Sequence, residues 1–257
     1  MRKFFKDFKL GITSYGKAWK LIREKKMWGY FLLPILVSLV LSVSMYYVRL
    51  EIQEYIENTL NSLISFNRWW EWAKWLTGWL IQISLFILSW YIYIKVQKYT
   101  LLIFLSPLLA YLSEKTEQKL TGKKYPFKFN QFVKDIMRGV LIASRNLIIE
   151  ISLLIALFLL GLIPVLTPFT TAAAFVIGWY FYGYSLMDYS NERKKLNIRE
   201  SNLSIKSRSG AAIANGMIFE IIFIIPILGF VIAPIVGTIA ATIAMQEEPS
   251  LAKKQGF

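Results

Sequence analysis

A chain of 257 residues that is 56% hydrophobic and 16% aromatic carries more apolar surface than one soluble core of this size can enclose. It has no cysteine and no histidine, which excludes disulfides, thiolate zinc sites, thiol nucleophiles and the commonest general base. The formal charge of +14, from 30 Lys and Arg against 16 Asp and Glu, is carried by segments that flank apolar runs. That is the pattern of loops facing anionic lipid, not of a nucleic-acid binder.

Residues 1–27 hold nine bases (Arg2, Lys3, Lys6, Lys9, Lys17, Lys20, Arg23, Lys25 and Lys26) against Asp7 and Glu24. Phe4, Phe5, Phe8, Ile12, Tyr15, Trp19 and Ile22 recur at three- and four-residue steps, which predicts an amphipathic helix lying on the membrane surface. No apolar stretch followed by a small-residue cleavage site is present here, so a cleaved secretory signal is not expected. Residues 28–48 run without a charge except at their flanks, and about twenty residues at ~1.5 Å each match a hydrocarbon core of about 30 Å. Pro34 near the start is tolerable in such a helix.

Residues 49–74 read as a loop with Arg49, Arg68 and Lys74 against Glu51, Glu54, Glu57 and Glu71, and with Trp69, Trp70, Trp72 and Trp75 marking an interface. Residues 75–94 form a second spanning segment that ends at Lys95 and Lys98. The sequence then continues from Tyr99 to Gly122, apolar up to Leu112, so this helix is expected either to run past the bilayer or to bend at Pro107. A basic connector follows, with Lys123, Lys124, Lys128, Lys134, Arg138 and Arg145 against Asp135.

Two further apolar regions, 146–187 and 211–245, are each broken by a pair of prolines, Pro164 with Pro168 and Pro226 with Pro234. Each predicts a helix, a Pro-containing turn and a second helix. Bases flank both ends of each, so each hairpin enters and leaves on one side. Two readings are open: hairpins that stop partway through the bilayer, or ordinary pairs of spans with tight external turns. In the first, the tips are expected to be buried in protein or to line a wet cavity, because unpaired backbone groups in lipid cost several kcal/mol each. The concentration of bases outside the Glu-rich loop puts both termini in the cytoplasm and that loop outside. The expected fold is therefore an all-α integral membrane protein, one membrane domain over residues 1–257, in a cytoplasmic-type membrane.

Glu150 and Glu220 stand out because each lies among leucines and isoleucines in a hairpin helix, where a charge costs a few kcal/mol. They read either as proton-carrying sites or as partners of Arg145 or Arg208 that fix helix packing, with snorkelling to the interface a further alternative for Glu150. Arg23, Lys25 and Lys26 immediately precede the first span and form an anion-attracting cluster, the competing reading being ordinary anchoring to anionic headgroups. Asp188 and Asn215, with Arg208, are candidates for a polar cluster near the cytoplasmic face; helix capping and tight packing at Gly216 are the alternative. No metal and no cofactor are expected. An enzyme is not expected either, since without His or Cys it would need a Glu or Asp base beside a Ser or Lys nucleophile, and no spacing presents that pair.

Over nearly its whole length the sequence resembles the CysZ family of bacterial inner-membrane sulfate transporters, which shares a domain with the etoposide-induced membrane proteins of eukaryotes. The resemblance is carried by Gly11 to Gly16 with Lys17-Ala18-Trp19, by Leu33-Pro34, and by Ser106-Pro107 running through Glu114 and Glu117 to Leu120-Thr121-Gly122. In the last third it is carried by Trp179, Tyr184, Asp188-Tyr189, Asn215-Gly216, Ile225-Pro226 and Ala233-Pro234 through Gly237-Thr238. It implies two long spanning helices, two partly inserted hairpins, a homo-oligomer and admission of sulfate. The sequence departs from the family pattern before the first span, where Lys26-Met27-Trp28-Gly29 stands in place of Gly-Leu-Arg-Arg. The expected function is thus an anion transporter or channel with sulfate or a similar oxyanion as substrate and membrane lipids as partners. The alternative is a non-transporting scaffold or a lipid- or protein-binding factor.

Overall fold

The structure is a computed structural model that describes residues 2–63, 71–122, 129–225 and 228–247. Among these residues the elements are all helical. They are α1 (Arg2–Glu24), a 3-10 turn (Met27–Phe31), α2 (Leu32–Leu63), α3 (Glu71–Thr121), α4 (Phe129–Gly161), α5 (Thr167–Arg193), α6 (Ile198–Lys206), α7 (Ser209–Phe223) and α8 (Leu228–Gln246). Four stretches are long and apolar enough to cross a membrane: Met27–Tyr55, Tyr93–Thr121, Phe129–Gly161 and Leu228–Gln246. Trp69, Trp70, Lys123, Lys124, Lys128, Pro226, Lys253 and Lys254, which figured in the sequence reading, lie outside the described residues.

One boundary differs from expectation. The helix of the first span does not stop at Val48 but continues to Leu63, because the Glu-rich segment after Arg49 has good helix formers and no Pro or Gly. The second spanning segment belongs to a longer helix. It runs as one 51-residue helix through Pro107, which by rise alone is about 76 Å and more than twice a hydrocarbon core.

Burial separates lipid-facing helices from the core. Of the apolar windows, 11% of that in α2 and 22% of that in α4 are buried inside the chain, against 83% in α8. α8 is therefore the central post, wrapped by α1, α3, α5 and α7. An apolar exterior on α2 and α4 is stable only if lipid or another chain is its solvent.

The amphipathic stripe predicted for α1 divides. Tyr15 and Ile22, with Gly11, Ser14, Ala18 and Leu21, are buried against α7 and α8, whereas Phe5, Ile12 and Trp19 stay exposed. The Tyr15 hydroxyl donates to the Asn215 carbonyl at 2.8 Å. Burial pushes that phenol well above its ordinary value, so it remains a neutral donor. α1 is thus an integral part of the bundle as well as an interfacial helix.

The tip of the α4/α5 hairpin, residues 162–166, exposes Leu162, Ile163 and Val165. Within it the amides of Leu162, Ile163 and Leu166 donate to the carbonyls of Leu159, Leu160 and Ile163, and the Thr167 hydroxyl reaches the Gly161 carbonyl at 2.8 Å. The turn thus satisfies part of its own backbone, which reduces the cost that burial in protein or a wet cavity was expected to offset.

α5 and α7 cross at glycines. A methyl group added to Gly183 would overlap the Ala212 carbonyl, and one added to Gly216 the Trp179 carbonyl, so the two backbones are in direct contact. Alanine normally gains up to ~1 kcal/mol over glycine in a helix. Here the obstacle is main chain and cannot step aside, so the overlap outweighs the gain. Gly183→Ala or Gly216→Ala is expected to lower stability by about 1–3 kcal/mol, read as a lower melting temperature in detergent. Gly16→Ala, with nothing within 4 Å of its added carbon, is expected to raise it.

Candidate functional site

Residues three and four apart on a helix share one face. On α3 this brings Lys95, Lys98 and Tyr99 together, and three other helices close over them. Lys95 Nζ lies 2.7 Å from Glu150 Oε1 of α4. The Tyr99 hydroxyl donates to Glu150 Oε2 at 2.5 Å. Lys98 Nζ lies 2.5 Å from Glu220 Oε1 of α7. Lys98 and Glu150 are fully buried, while the side chains of Lys95 and Glu220 keep 11% and 14% of their exposure.

The Tyr182 ring of α5 lies beneath both ammoniums, with its centre 5.6 Å from Lys95 Nζ and 4.0 Å from Lys98 Nζ. The ring's negative face adds to the two carboxylates in offsetting repulsion between the two cations. Tyr182 stacks on Tyr99 at 4.9 Å and on Phe219 at 5.7 Å, which fixes its plane. Gly178 has a particular role beside this pair. A methyl there would come within 2.9 Å of Lys95 Nζ and 3.1 Å of Glu150 Oε1, so its absence makes room for the ion pair.

A cleft of about 400 Å³ opens onto this cluster between α4 and α5. Its walls include Leu154, Phe158, Phe175 and Thr171, and Lys95 and Glu220 reach it. An ammonium at the edge of an apolar cleft interacts with an incoming charge more strongly than it would in water.

The intramembrane glutamates are therefore ion-paired, as one of the sequence readings had it, but with other partners: Lys95 in place of Arg145 and Lys98 in place of Arg208. Both lysines had been read only as the end of the second span. The signal that could have found them is their i, i+3 spacing with Tyr99 at i+4, inside a helix that stays apolar beyond them.

Asp188, Arg208 and Asn215 do not gather into one cluster; their bonds run to separate partners. Asp188 pairs with Arg138 through two bonds of 2.9 and 3.0 Å and accepts from the Ser201 hydroxyl, which ties α6 to α5. Arg208 Nη1 donates to the carbonyls of Ala244 and Met245 at the end of α8, at 3.0 and 3.3 Å. That is the cation-at-C-terminus arrangement a helix dipole favours. Asn215 donates to the Gly237 carbonyl at 3.4 Å. A further ion pair, Arg193 with Glu117 at 2.6 Å, was not anticipated; Arg193 also donates to Ser113, which bonds Thr242 at 2.6 Å and so joins α5, α3 and α8. Arg23, Lys25 and Lys26 are all exposed at the end of α1. There Lys26, with φ 49° and ψ 47°, turns the chain into the first span.

Helices that expose apolar faces, wrapped around charges paired in their interior, define an all-helical integral membrane protein with a polar centre. Residues 14–234 match the family model described as sulfate transporter CysZ/etoposide-induced protein 2.4, and the chain belongs to that family. It is 27% identical over 210 residues to a sulfate transporter CysZ of Vibrio parahaemolyticus, covering 80% of this chain and 82% of the relative. The same name is carried by a Vibrio cholerae protein, 27% identical over 229 residues and 88% of each chain. A Vibrio atlanticus relative so named is 25% identical over 213 residues, 80% of each.

Removing one partner of a buried ion pair strands the other charge, which costs about 3–5 kcal/mol, whereas removing both leaves only a packing defect. Lys98→Met alone is expected to lower the melting temperature of the detergent-solubilised protein more than Lys98→Met combined with Glu220→Gln. Equal losses in the single and double variants would show that the pair carries no coupling.

Proposed function

We propose that this chain moves sulfate, or an oxyanion of like size and charge, across the cytoplasmic membrane of a bacterium. The observation that carries the reading is membership of the family, with relatives named as sulfate transporters aligned over 80–88% of the chain. A transporter needs no catalytic machinery, which accords with a sequence that lacks His and Cys. Both termini face the cytoplasm in this reading, following the positive-inside rule, and the Glu-rich residues 49–74 face outward. The hairpins are inserted from the cytoplasmic side. α7, 15 residues and about 22 Å long, stops short of crossing.

Exposed Arg23, Lys25 and Lys26 act at the entrance to the first span. They raise the local concentration of oxyanion as any cluster of one sign does, and hold the interface through anionic headgroups. The apolar outer surfaces of α2 and α4 are covered by lipid and by further copies of the chain.

Purified protein reconstituted into liposomes is expected to take up radiolabelled sulfate, measured at about pH 6 and about pH 8 to separate proton-coupled from uncoupled flux. Replacing Arg23, Lys25 and Lys26 together by Glu is expected to slow the initial rate by roughly tenfold at low salt, and less at high salt, as an effect of electrostatic steering. Absence of flux for sulfate and for other oxyanions in the unaltered protein would remove the reading.

A further inference from the structure

The cluster beneath the α4/α5 cleft is more than a set of structural ion pairs. Three features point the same way. The cleft, at about 400 Å³, has room for an oxyanion and several waters. Lys95 reaches it, with 11% of its side chain exposed, while its partner Glu150 is fully buried behind it. Two ammoniums rather than one lie over the Tyr182 ring, so the site holds a double positive charge offset by two separate carboxylates.

We propose that Lys95 is an oxyanion-binding residue inside the protein and that Glu150 is its built-in competitor, occupying the ammonium when the cleft holds no substrate. This rests on the transport reading above and adds the internal site to it. A divalent oxyanion entering the cleft meets Lys95 from the open side and takes the place of Glu150 against that ammonium. Glu150, as it yields Lys95, retains the Tyr99 hydroxyl bond at 2.5 Å, so one of its oxygens stays satisfied throughout. Lys98 remains held by Glu220 and the Tyr182 ring, and supplies positive charge without moving. Gly178 leaves the space in which the exchange takes place.

A purely structural ion pair and a competed binding residue predict different mutants. If the pair only holds α3 to α4, removing either charge harms the protein in the same sense. If Glu150 competes with substrate, removing its charge strengthens substrate binding, while removing that of Lys95 abolishes it.

The test is sulfate uptake by proteoliposomes, with the half-saturating concentration and maximal rate measured separately. Glu150→Gln is expected to lower the half-saturating sulfate concentration several-fold. Lys95→Gln strands a buried carboxylate and is replaced by the neutral pair Lys95→Gln with Glu150→Gln, checked for monodispersity and helix content. Uptake by that pair is expected to fall by about tenfold or more, the equivalent of one charge-assisted hydrogen bond. Lys95→Arg combined with Glu150→Gln is expected to recover much of it. An unchanged half-saturation in Glu150→Gln, or unaltered uptake by the folded neutral pair, would overturn the internal site while leaving transport standing; the latter is also what a lipid chain filling the cleft would give. Failure of the unaltered protein to carry any oxyanion would overturn both.

Discussion

Two lysines one helical turn apart in an apolar helix impose the constraint on which the packing depends. Neither Lys95 nor Lys98 can lie in a membrane protein's interior without an opposite charge, and α3 offers none on that face. The carboxylates come from Glu150 on α4 and Glu220 on α7, and the aromatic floor from Tyr182 on α5. One requirement for charge balance thus fixes four helices: α3, both arms of the first hairpin and one arm of the second. The packing around it follows: glycines where α5 meets α7, a stack of Tyr99, Tyr182, Phe219 and Phe223, and Gly178 vacating the space beside the Lys95 pair.

The second level of polar organisation lies nearer the ends of the helices. Arg138 with Asp188, Arg193 with Glu117, and Arg208 on the last carbonyls of α8 each join elements distant in sequence. Arginine suits these positions because its planar fork serves several acceptors at once, as Arg193 does with Glu117, Ser113 and the Tyr189 carbonyl. Lysine occupies the interior of the cluster, where a compact ammonium fits over a ring.

Much of the fold was legible because lipid imposes a simple code of apolar length and flanking charge. The first span and both proline-broken hairpins could be read from that code, and so could the family, from scattered Gly, Pro and Asp positions. What remained hidden depends on facing partners. Glu150 and Glu220 were conspicuous as charges among leucines, yet nothing in their own neighbourhoods names Lys95 or Lys98, which lie 55 and 122 residues away. The extension of α2 to Leu63 was hidden by acidic residues that read as loop but are good helix formers. The division of the α1 stripe was hidden because periodicity reveals an apolar face without saying whether protein or lipid covers it. Tyr15 and Ile22 went to protein, and Phe5 and Trp19 did not.

The turn between α4 and α5 has one more implication. Because the amides of Leu162, Ile163 and Leu166 are engaged within the turn itself, it has fewer polar groups left to seek water than an open turn would. Nothing at the tip therefore anchors it to a particular level. Charge lies at the opposite end, where Arg138 pairs with Asp188 and Arg145 lies against the Tyr184 ring. A change of bilayer thickness would therefore alter what surrounds Val165 and leave the ion pair at the hairpin's base untouched.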